Sequence, residues 1–159
     1  MTVKEVMTRQ VATCRPESNL AEAIALMWEN DCGVLPVLGD RGEILGMITD
    51  RDIGVALGTR NVRSSDVLVR DVARDHVLLC RPHDDIHVAL QTMRDGKVRR
   101  LPVMGDRGGL EGILSMDDVV LNAEADPRMG ASISYGDVVS TLREIYSGGE
   151  LFETRRSAA

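Results

Sequence analysis

The chain has 159 residues, which suffices for one ordinary domain or for two small repeats that share a core. Hydrophobic residues make up 43% and charged residues 28% of it, as in soluble globular proteins, and the scarcity of aromatic residues requires an aliphatic core. A net charge of −6 argues against general nucleic-acid binding, and no apolar run approaches the roughly 20 residues that a membrane span needs.

The cysteines and the N-terminal residues bear on the cellular compartment. Cys14, Cys32 and Cys80 form no CxxC pair and no Cys/His cluster with metal-ligand spacing. An odd number of dispersed thiols suits a reducing environment, where a buried cysteine acts as a small hydrophobe. Because residues 1–5 do not resemble a signal peptide, we expect a cytoplasmic location.

The hydrophobic spacing of the first third of the chain predicts strand, helix, strand, strand and helix. The continuous apolar run at 34–38 predicts a strand that is buried on both faces. The predicted elements are a turn at 3–7, a strand at 11–14, a helix at 20–28, strands at 34–38 and 43–48, and a helix from about 50 that stops at Gly58.

The chain then repeats itself with an offset of 66 residues. The matching pairs, found without a gap, are Pro16/Pro82, Met27/Met93, Pro36/Pro102, Gly39/Gly105, Gly46/Gly112 and Asp52/Asp118. This register predicts an internal duplication whose units, of roughly 50–60 residues, would each be marginal alone and are expected to pack through their sheets. The predicted divisions are repeat 1 at 1–58, a linker at 59–66, repeat 2 at 67–124 and an extension at 125–159.

The extension is expected to contain one helix that begins near Tyr135. Val138, Leu142 and Ile145 share a face of this helix, with Val139 and Tyr146 at its edges, so it needs a surface to cover. Residues 150–159 are polar and are expected to fray.

The same strand-to-helix junction occurs in both repeats. Gly46, Thr49 and Asp52 recur as Gly112, Ser115 and Asp118, and in each copy an apolar strand leads into a helix. Thr49 or Ser115 is a good N-cap residue, and the aspartate three positions later completes a capping-box pattern. For a single copy, a capped helix explains the pattern, but two copies in matching contexts also fit an anion site at a helix N-terminus.

This duplicated unit resembles the CBS domain, and two units in tandem resemble a CBS pair, or Bateman module, of the stand-alone bacterial type. The resemblance rests on the Leu-Pro-Val runs at 35–37 and 101–103, on the Gly-Asp turns, and on Gly-x-x-Thr/Ser-x-x-Asp at both junctions. It implies an α/β fold of two pseudo-symmetric β-α-β-β-α repeats packed through their sheets, followed by the C-terminal helix.

The resemblance also implies a regulatory module that binds an adenine nucleotide, such as AMP, ADP or ATP, in clefts between the two repeats. The aspartates would accept both ribose hydroxyls, Thr49 or Ser115 would meet phosphate, and apolar residues around 34–36 and 101–102 would flank the adenine. In such pairs a basic residue before the Leu-Pro-Val strand often contacts phosphate. The site residues expected on this basis are Gly46, Thr49, Arg51, Asp52, Arg99, Arg100, Pro102, Gly112, Ser115 and Asp118.

The two junctions differ in charge. Arg51 lies beside Asp52, where the second repeat has Asp117, while Arg99 and Arg100 stand where the first repeat has glycine and valine. Arginine suits phosphate through its fixed fork of donors, although these arginines also fit as solvated surface charges. An unpaired Asp117 would repel a polyphosphate, so we expect two unequal sites, of which the second prefers a ligand of low charge or stays empty.

Other functions fit the sequence less well. No paired acid and base or nucleophile accompanies the junctions, so an enzyme is not expected, and no cofactor is required. His83 and His87 have i, i+4 spacing, but Pro82 places His83 at or before the helix start, so no metal site is expected. The alternatives are an adaptor with vestigial clefts and a sensor of S-adenosylmethionine or NAD. The expected partners are an adenosine-containing ligand, a second copy in a homodimer through exposed helix faces, and an unidentified protein target, but neither nucleic acid nor membrane.

Overall fold

The computed structural model describes residues 1–125 and 133–147. These residues form a mixed α/β structure, as expected. The helices are α1 (Val3–Val6), α2 (Leu20–Glu29), α3 (Asp50–Arg60), α4 (Ile86–Gly96), α5 (Met116–Leu121) and α6 (Tyr135–Tyr146). The strands are β1 (Val34–Leu38), β2 (Ile44–Thr49), β3 (Arg100–Met104), β4 (Leu110–Ser115), β5 (Ala123–Glu124) and β6 (Ile133–Ser134).

Two predictions differ from the observed elements. The first strand of each repeat is reduced to one parallel bridge, from Cys14 to Val37 and from Cys80 to Val103. The turn predicted at 3–7 is the helical turn α1. Helix α3 continues past Gly58 to Arg60, because a helix tolerates glycine and the reversal comes at Asn61, whose φ of 51° closes the helix in the left-handed region.

The strands form three separate two-stranded pairs. β1 and β2 are antiparallel, with Val34 opposite Thr49 and Leu35 opposite Ile48, and β3 and β4 form the corresponding pair. β1 is buried along most of its length, as the continuous apolar run predicted. β5 and β6 pair in parallel beside α6.

The described chain divides into two compact units. One, here called the Asp52 unit, consists of Gln10–Val77 and Gly105–Leu110, and the other, the Asp118 unit, consists of Met1–Arg9, Leu78–Met104 and the described residues from Glu111 on. Each has its own apolar core, around Leu35 and Ile48 in the first and around Leu101 and Leu114 in the second. These units combine segments of both predicted repeats, so the repeat boundaries given above remain a prediction from the sequence.

The N-terminal segment of each repeat, which contains Thr8 in the first and Arg74 in the second, pairs with the sheet of the other repeat. Thr8 exchanges two backbone hydrogen bonds with Ile113 of β4 (3.0 and 2.9 Å), and Arg74 exchanges two with Met47 of β2 (2.9 and 3.0 Å). Both partners are related by the 66-residue offset, so the duplication extends to the hydrogen bonds. The β1–β2 and β3–β4 sheets each thereby gain an edge partner.

This pairing explains the two junction glycines. A Cβ atom on Gly46 would lie 2.6 Å from the carbonyl oxygen of Arg74, and one on Gly112 would lie 2.7 Å from that of Thr8. Backbone atoms cannot swing aside as a flexible side chain can. The glycines therefore admit a neighbouring backbone, which is a structural requirement apart from any ligand.

The C-terminal helix α6 packs on α4 within the Asp118 unit. Val138 and Ile145 are buried there, Leu142 is partly buried against the same core, and Val139 and Tyr146 are exposed at the edges, as the spacing predicted. Residues 150–159, expected to fray, lie outside the described residues. Trp28 is 86% exposed and so belongs to no core of the described chain.

The close approach at Gly46 can be tested against a glycine in open space. Gly46→Ala is expected to lower the free energy of unfolding by about 1–3 kcal/mol, because the Arg74 backbone must shift. Gly54→Ala is the control: Gly54 lies inside α3 with no atom near its Cβ position, so alanine is expected to stabilise by roughly 0.5–1 kcal/mol. Urea denaturation followed by circular dichroism measures both, and equal effects would contradict the assignment.

Candidate functional site

The first candidate site lies where β2 ends and α3 begins. Thr49 is the N-cap: its hydroxyl oxygen accepts from the Asp52 backbone N–H at 3.1 Å and donates to Asp52 Oδ2 at 2.7 Å. Asp52 Oδ2 also accepts from the Thr49 backbone N–H at 3.3 Å. The capping box thus fixes the orientation of the carboxylate and uses one of its oxygens.

The second oxygen of Asp52 is held by Arg74. The Arg74 Nε and one terminal nitrogen donate to Asp52 Oδ1 at 3.2 and 2.8 Å. The Asp52 side chain is 13% exposed, and this partial burial by itself would raise the pKa of the carboxyl group. The hydrogen bonds from Arg74 and Thr49 outweigh it and hold the pKa of Asp52 below its ordinary value of 3.8. The carboxylate is therefore charged at neutral pH, with every oxygen engaged.

The second candidate site lies where β4 ends and α5 begins. Asp118 Oδ2 accepts from the Ser115 hydroxyl at 2.6 Å and from the Ser115 backbone N–H at 2.8 Å. Asp118 Oδ1 accepts from the hydroxyl of Thr8 at 3.0 Å. The carboxylate has the same orientation device as Asp52, but its second oxygen has a neutral partner.

Arg74 and Thr8 were not identified from the sequence. They occupy equivalent positions, 66 residues apart; Arg74 lies 22 residues from Asp52 and Thr8 lies 110 residues from Asp118. Nothing in the local pattern links them to the junctions. Once the duplication is known, the 66-residue offset shows that they correspond. Only the pairing of each one's segment with the sheet of the other repeat shows that they lie close to the junction aspartates.

Most of the predicted residues lie around these two junctions. Gly46, Thr49 and Asp52 are together in the Asp52 unit, with Arg51 exposed on the first turn of α3. In the Asp118 unit, Gly112, Ser115 and Asp118 form the equivalent group.

The predicted residues of β3 and its approach have different surroundings. A terminal nitrogen of Arg100 lies 3.5 Å from Asp117 Oδ2, so the charge of Asp117 is partly compensated. Arg99 is exposed, and its carbonyl accepts from the Met116 backbone N–H at 2.9 Å. Pro102 is buried within β3. Leu35 and Leu101, expected beside an adenine, have no exposed surface and belong to the two cores.

A capping box alone does not define the site. The same box joins Ser134 to Asp137 at the start of α6, with distances of 2.6 and 2.9 Å to Asp137 Oδ2. These two hydrogen bonds lower the pKa of Asp137, and His87 Nε2 lies 3.6 Å from the same oxygen. Asp52 and Asp118 differ from Asp137 because the side chain of Arg74 or Thr8 also donates to their second carboxylate oxygen.

The described residues contain no cluster that suggests a metal site and no helix long and apolar enough to cross a membrane. Within 1–125 and 133–147, no group of three or more His, Cys, Asp or Glu side chains is placed to hold a metal ion. The helix lengths and hydropathies in the same ranges fall short of a membrane span. A shallow cavity of about 330 Å³ lies at the β1–β2 turn, between Arg15 and Gly42, away from the predicted residues.

Sequence comparison identifies the class of protein. The profile of the CBS domain matches residues 3–57 and 69–124. The CBS domain-containing protein YhcV of Bacillus subtilis is 33% identical over 132 residues, which cover 83% of this chain and 92% of YhcV. The chain belongs to the CBS domain family and carries two copies of the domain.

Solved structures agree with this assignment. A crystal structure of Hypoxic Response Protein I with two coordinated zinc ions matches with a TM-score of 0.69 and 27% identity, covering 76% of this chain and 98% of that one. The structure of CBSX2 in complex with AMP matches with a TM-score of 0.64 and 27% identity, covering 76% of this chain and 93% of that one.

The ion pair at Asp52 predicts a dependence of stability on pH. Because the folded pKa of Asp52 is lowered, the stability that it contributes is present above the unfolded pKa and is lost as the pH falls through the folded one. In Arg74→Gln no cation opposes the effect of burial, so the folded pKa of Asp52 is expected to rise toward its unfolded value. The loss of stability between about pH 5 and pH 3 should therefore be smaller than in the unaltered protein.

The measurement is the free energy of unfolding in urea at several pH values. Arg15→Gln serves as the control, since Arg15 pairs at 3.1 Å with Asp40, whose side chain is 99% exposed. The control should follow the pH dependence of the unaltered protein. If Arg74→Gln does the same, Arg74 does not stabilise the charged form of Asp52.

Proposed function

We propose that the protein is a non-enzymatic regulatory module that binds an adenine nucleotide, AMP, ADP or ATP, at its strand–helix junctions. Binding changes its conformation or its affinity for a partner. The proposal rests on one observation: in both units a capping box orients an aspartate at the same junction, and a side chain from an equivalent segment reaches its second oxygen. The similarity to CBSX2, solved in complex with AMP, supports the choice of an adenine nucleotide.

The chemistry of the junction suits a ribose. A carboxylate fixed by its N-cap residue can accept hydrogen bonds from two adjacent hydroxyls without reorienting, so little conformational entropy is lost on binding. In this proposal the ribose hydroxyls take the oxygens that Arg74 and Thr8 occupy, while backbone N–H groups and Thr49 or Ser115 lie toward the phosphate.

The same geometry argues for binding rather than catalysis. A carboxylate with a lowered pKa, such as Asp52, is a weak general base at neutral pH. The thiols of Cys14 and Cys80 are buried, and burial raises their pKa to about 11 and about 12, which makes both poor nucleophiles. A regulatory ligand that is bound and released unchanged requires neither group.

A calorimetric titration with AMP, ADP, ATP, S-adenosylmethionine and NAD tests the proposal. Heat is expected with at least one adenine nucleotide, and Asp52→Ala or Asp118→Ala should each weaken or remove one binding event by about tenfold or more. Asp137→Ala is a matched control, because it removes the same capping box at α6, outside the matched CBS domains. It should cost stability but leave binding unchanged.

Three results would contradict the proposal. Silence across the panel would favour an adaptor whose junctions bind no ligand. Binding of S-adenosylmethionine or NAD alone would redirect the proposal to another adenosyl ligand. Conversion of ATP during the titration, detected by chromatography, would indicate an enzyme.

A homodimer through α2 is the second part of the proposal. In α4, His87 lies near Asp137 and Arg94 Nε donates to the Thr141 hydroxyl at 3.0 Å, so α6 covers this face. The equivalent positions in α2 are Ala21, Ile24, Ala25 and Trp28. Ile24 is 40% exposed, whereas its counterpart Leu90 is fully buried.

This α2 face has the properties of a self-complementary contact. Its four residues follow i, i+3, i+4, i+7 spacing, with alanine at one end and the exposed Trp28 at the other. Two antiparallel copies would place each tryptophan over the small residue of its partner, which is the arrangement of an isologous interface. An exposed apolar face of this kind often marks an interface between proteins.

Trp28→Glu is expected to convert the dimer to a monomer, measured by light scattering during gel filtration. Leu121→Glu is the control, since Leu121 is similarly exposed, at 84%, but lies on the short helix α5. The single tryptophan also reports directly, because dimerisation should shift its fluorescence to shorter wavelength as concentration rises. If the Leu121 variant alone dissociates, the interface lies elsewhere.

A further inference from the structure

The residue that the exchanged segment places beside each aspartate differs between the two units. Arg74 and Thr8 make the same pair of backbone hydrogen bonds, to Met47 and Ile113, so their side chains leave the backbone at equivalent points. Each reaches the Oδ1 atom of its aspartate, at 2.8 Å and 3.0 Å. One position thus supplies a cation to the first site and a neutral hydroxyl to the second.

Building on the proposed function, we propose that this position sets ligand specificity: Arg74 makes the Asp52 site selective for a phosphorylated nucleoside, while Thr8 lets the Asp118 site accept an uncharged one.

Arg74 competes with a ribose for Asp52. Two charge-assisted hydrogen bonds end on Oδ1, and Oδ2 is already used by the capping box. A ribose diol gains this carboxylate only by displacing the guanidinium, which then needs another anion. An uncharged nucleoside brings none. A nucleotide brings a phosphate, which matches the guanidinium fork, and the Arg74 side chain is 68% exposed and so free to turn toward it.

Thr8 presents no such barrier at Asp118. A single neutral hydrogen bond to Oδ1 is weaker than the paired bonds from an arginine, and a hydroxyl can rotate to accept as well as donate. A ribose hydroxyl can therefore join or replace Thr8 without leaving a charge unpaired. Phosphate gains nothing from Thr8 beyond one hydrogen bond.

The neighbouring charges favour the same assignment. Arg51 lies on the first turn of α3, and its counterpart on α5 is Asp117. Arg100, the cation nearest to Asp117, is 3.5 Å from it and 32% exposed, so its charge is shared with a carboxylate. Asp50 offsets part of the positive charge at the first site. The side chain that contacts the aspartate is still the cation Arg74 at the first site and the neutral Thr8 at the second.

Exchanging the two residues tests the proposal in the full-length chain. The affinities for adenosine and AMP are measured by calorimetry at low salt, with the Asp52 site observed in an Asp118→Ala background and the Asp118 site in an Asp52→Ala background. At the Asp52 site AMP is expected to bind at least about tenfold more tightly than adenosine, the effect of one charge-assisted contact. Adding Arg74→Thr should bring the two affinities within roughly threefold.

At the Asp118 site the opposite change is expected. Adenosine and AMP should bind within roughly threefold of each other, and Thr8→Arg should give AMP an advantage of about tenfold that falls as salt is raised. Arg74→Lys, which keeps the charge but not the fork, should retain part of the preference for AMP. Thermal unfolding of each variant verifies that it is folded, and Thr8→Lys replaces Thr8→Arg if the latter is not.

The outcomes separate this proposal from the one on which it rests. If both ligands bind and neither exchange moves the ratio of their affinities, Arg74 and Thr8 do not set specificity, although the junctions still bind nucleotides. If neither ligand binds at either site, both proposals fall. A preference for AMP at the Asp118 site that is independent of residue 8 would also overturn this one.

Discussion

The close approach of two backbones at a glycine is the contact on which each unit depends. At Gly46 and at Gly112, the N-terminal segment of the other repeat lies within 3 Å of where a side chain would begin, and reciprocal hydrogen bonds hold it there. The same contact delivers Arg74 or Thr8 to the junction aspartate. The glycine therefore has two consequences: it lets the segment pair with the edge of the sheet, and it lets a side chain of that segment contact the aspartate of the candidate site.

The duplication preserves this backbone arrangement and varies the side chains on it. The capping boxes at Thr49 and Ser115 make the same three hydrogen bonds, and in both the carboxylate is oriented at the point where a strand ends and a helix begins. Beside them, the Asp52 site has Arg74 where the Asp118 site has Thr8, and it has Arg51 where the Asp118 site has Asp117. If both junctions bind a ligand, as proposed, a common frame with different charge suits two chemical states of related ligands better than one ligand bound twice.

Much of the fold follows from the sequence, because its signals are local. Apolar spacing identified α2, α3 and α6, the continuous apolar run identified β1, and the glycine and aspartate offsets identified the duplication. The exchange of segments could not be predicted, since the pairing of Thr8 with Ile113 joins residues more than 100 positions apart without any local pattern. Arg74 was missed because no local pattern links it to Asp52, 22 residues earlier, while Arg51 was named because it stands next to Asp52.

The exchange of the two segments also constrains the order in which the chain can fold as it is synthesised. Residues 10–77 include most of the Asp52 unit, so its core can assemble early. Residues 1–9, though made before residues 10–77, have their hydrogen-bond partners near residues 82–86 and 113, and cannot form those bonds until the partners have emerged. Contacts of such long sequence separation slow folding. A segment that is made before the Asp52 unit is thus among the last of the described segments to reach its place, and the Asp118 unit closes only after residue 113 has been made.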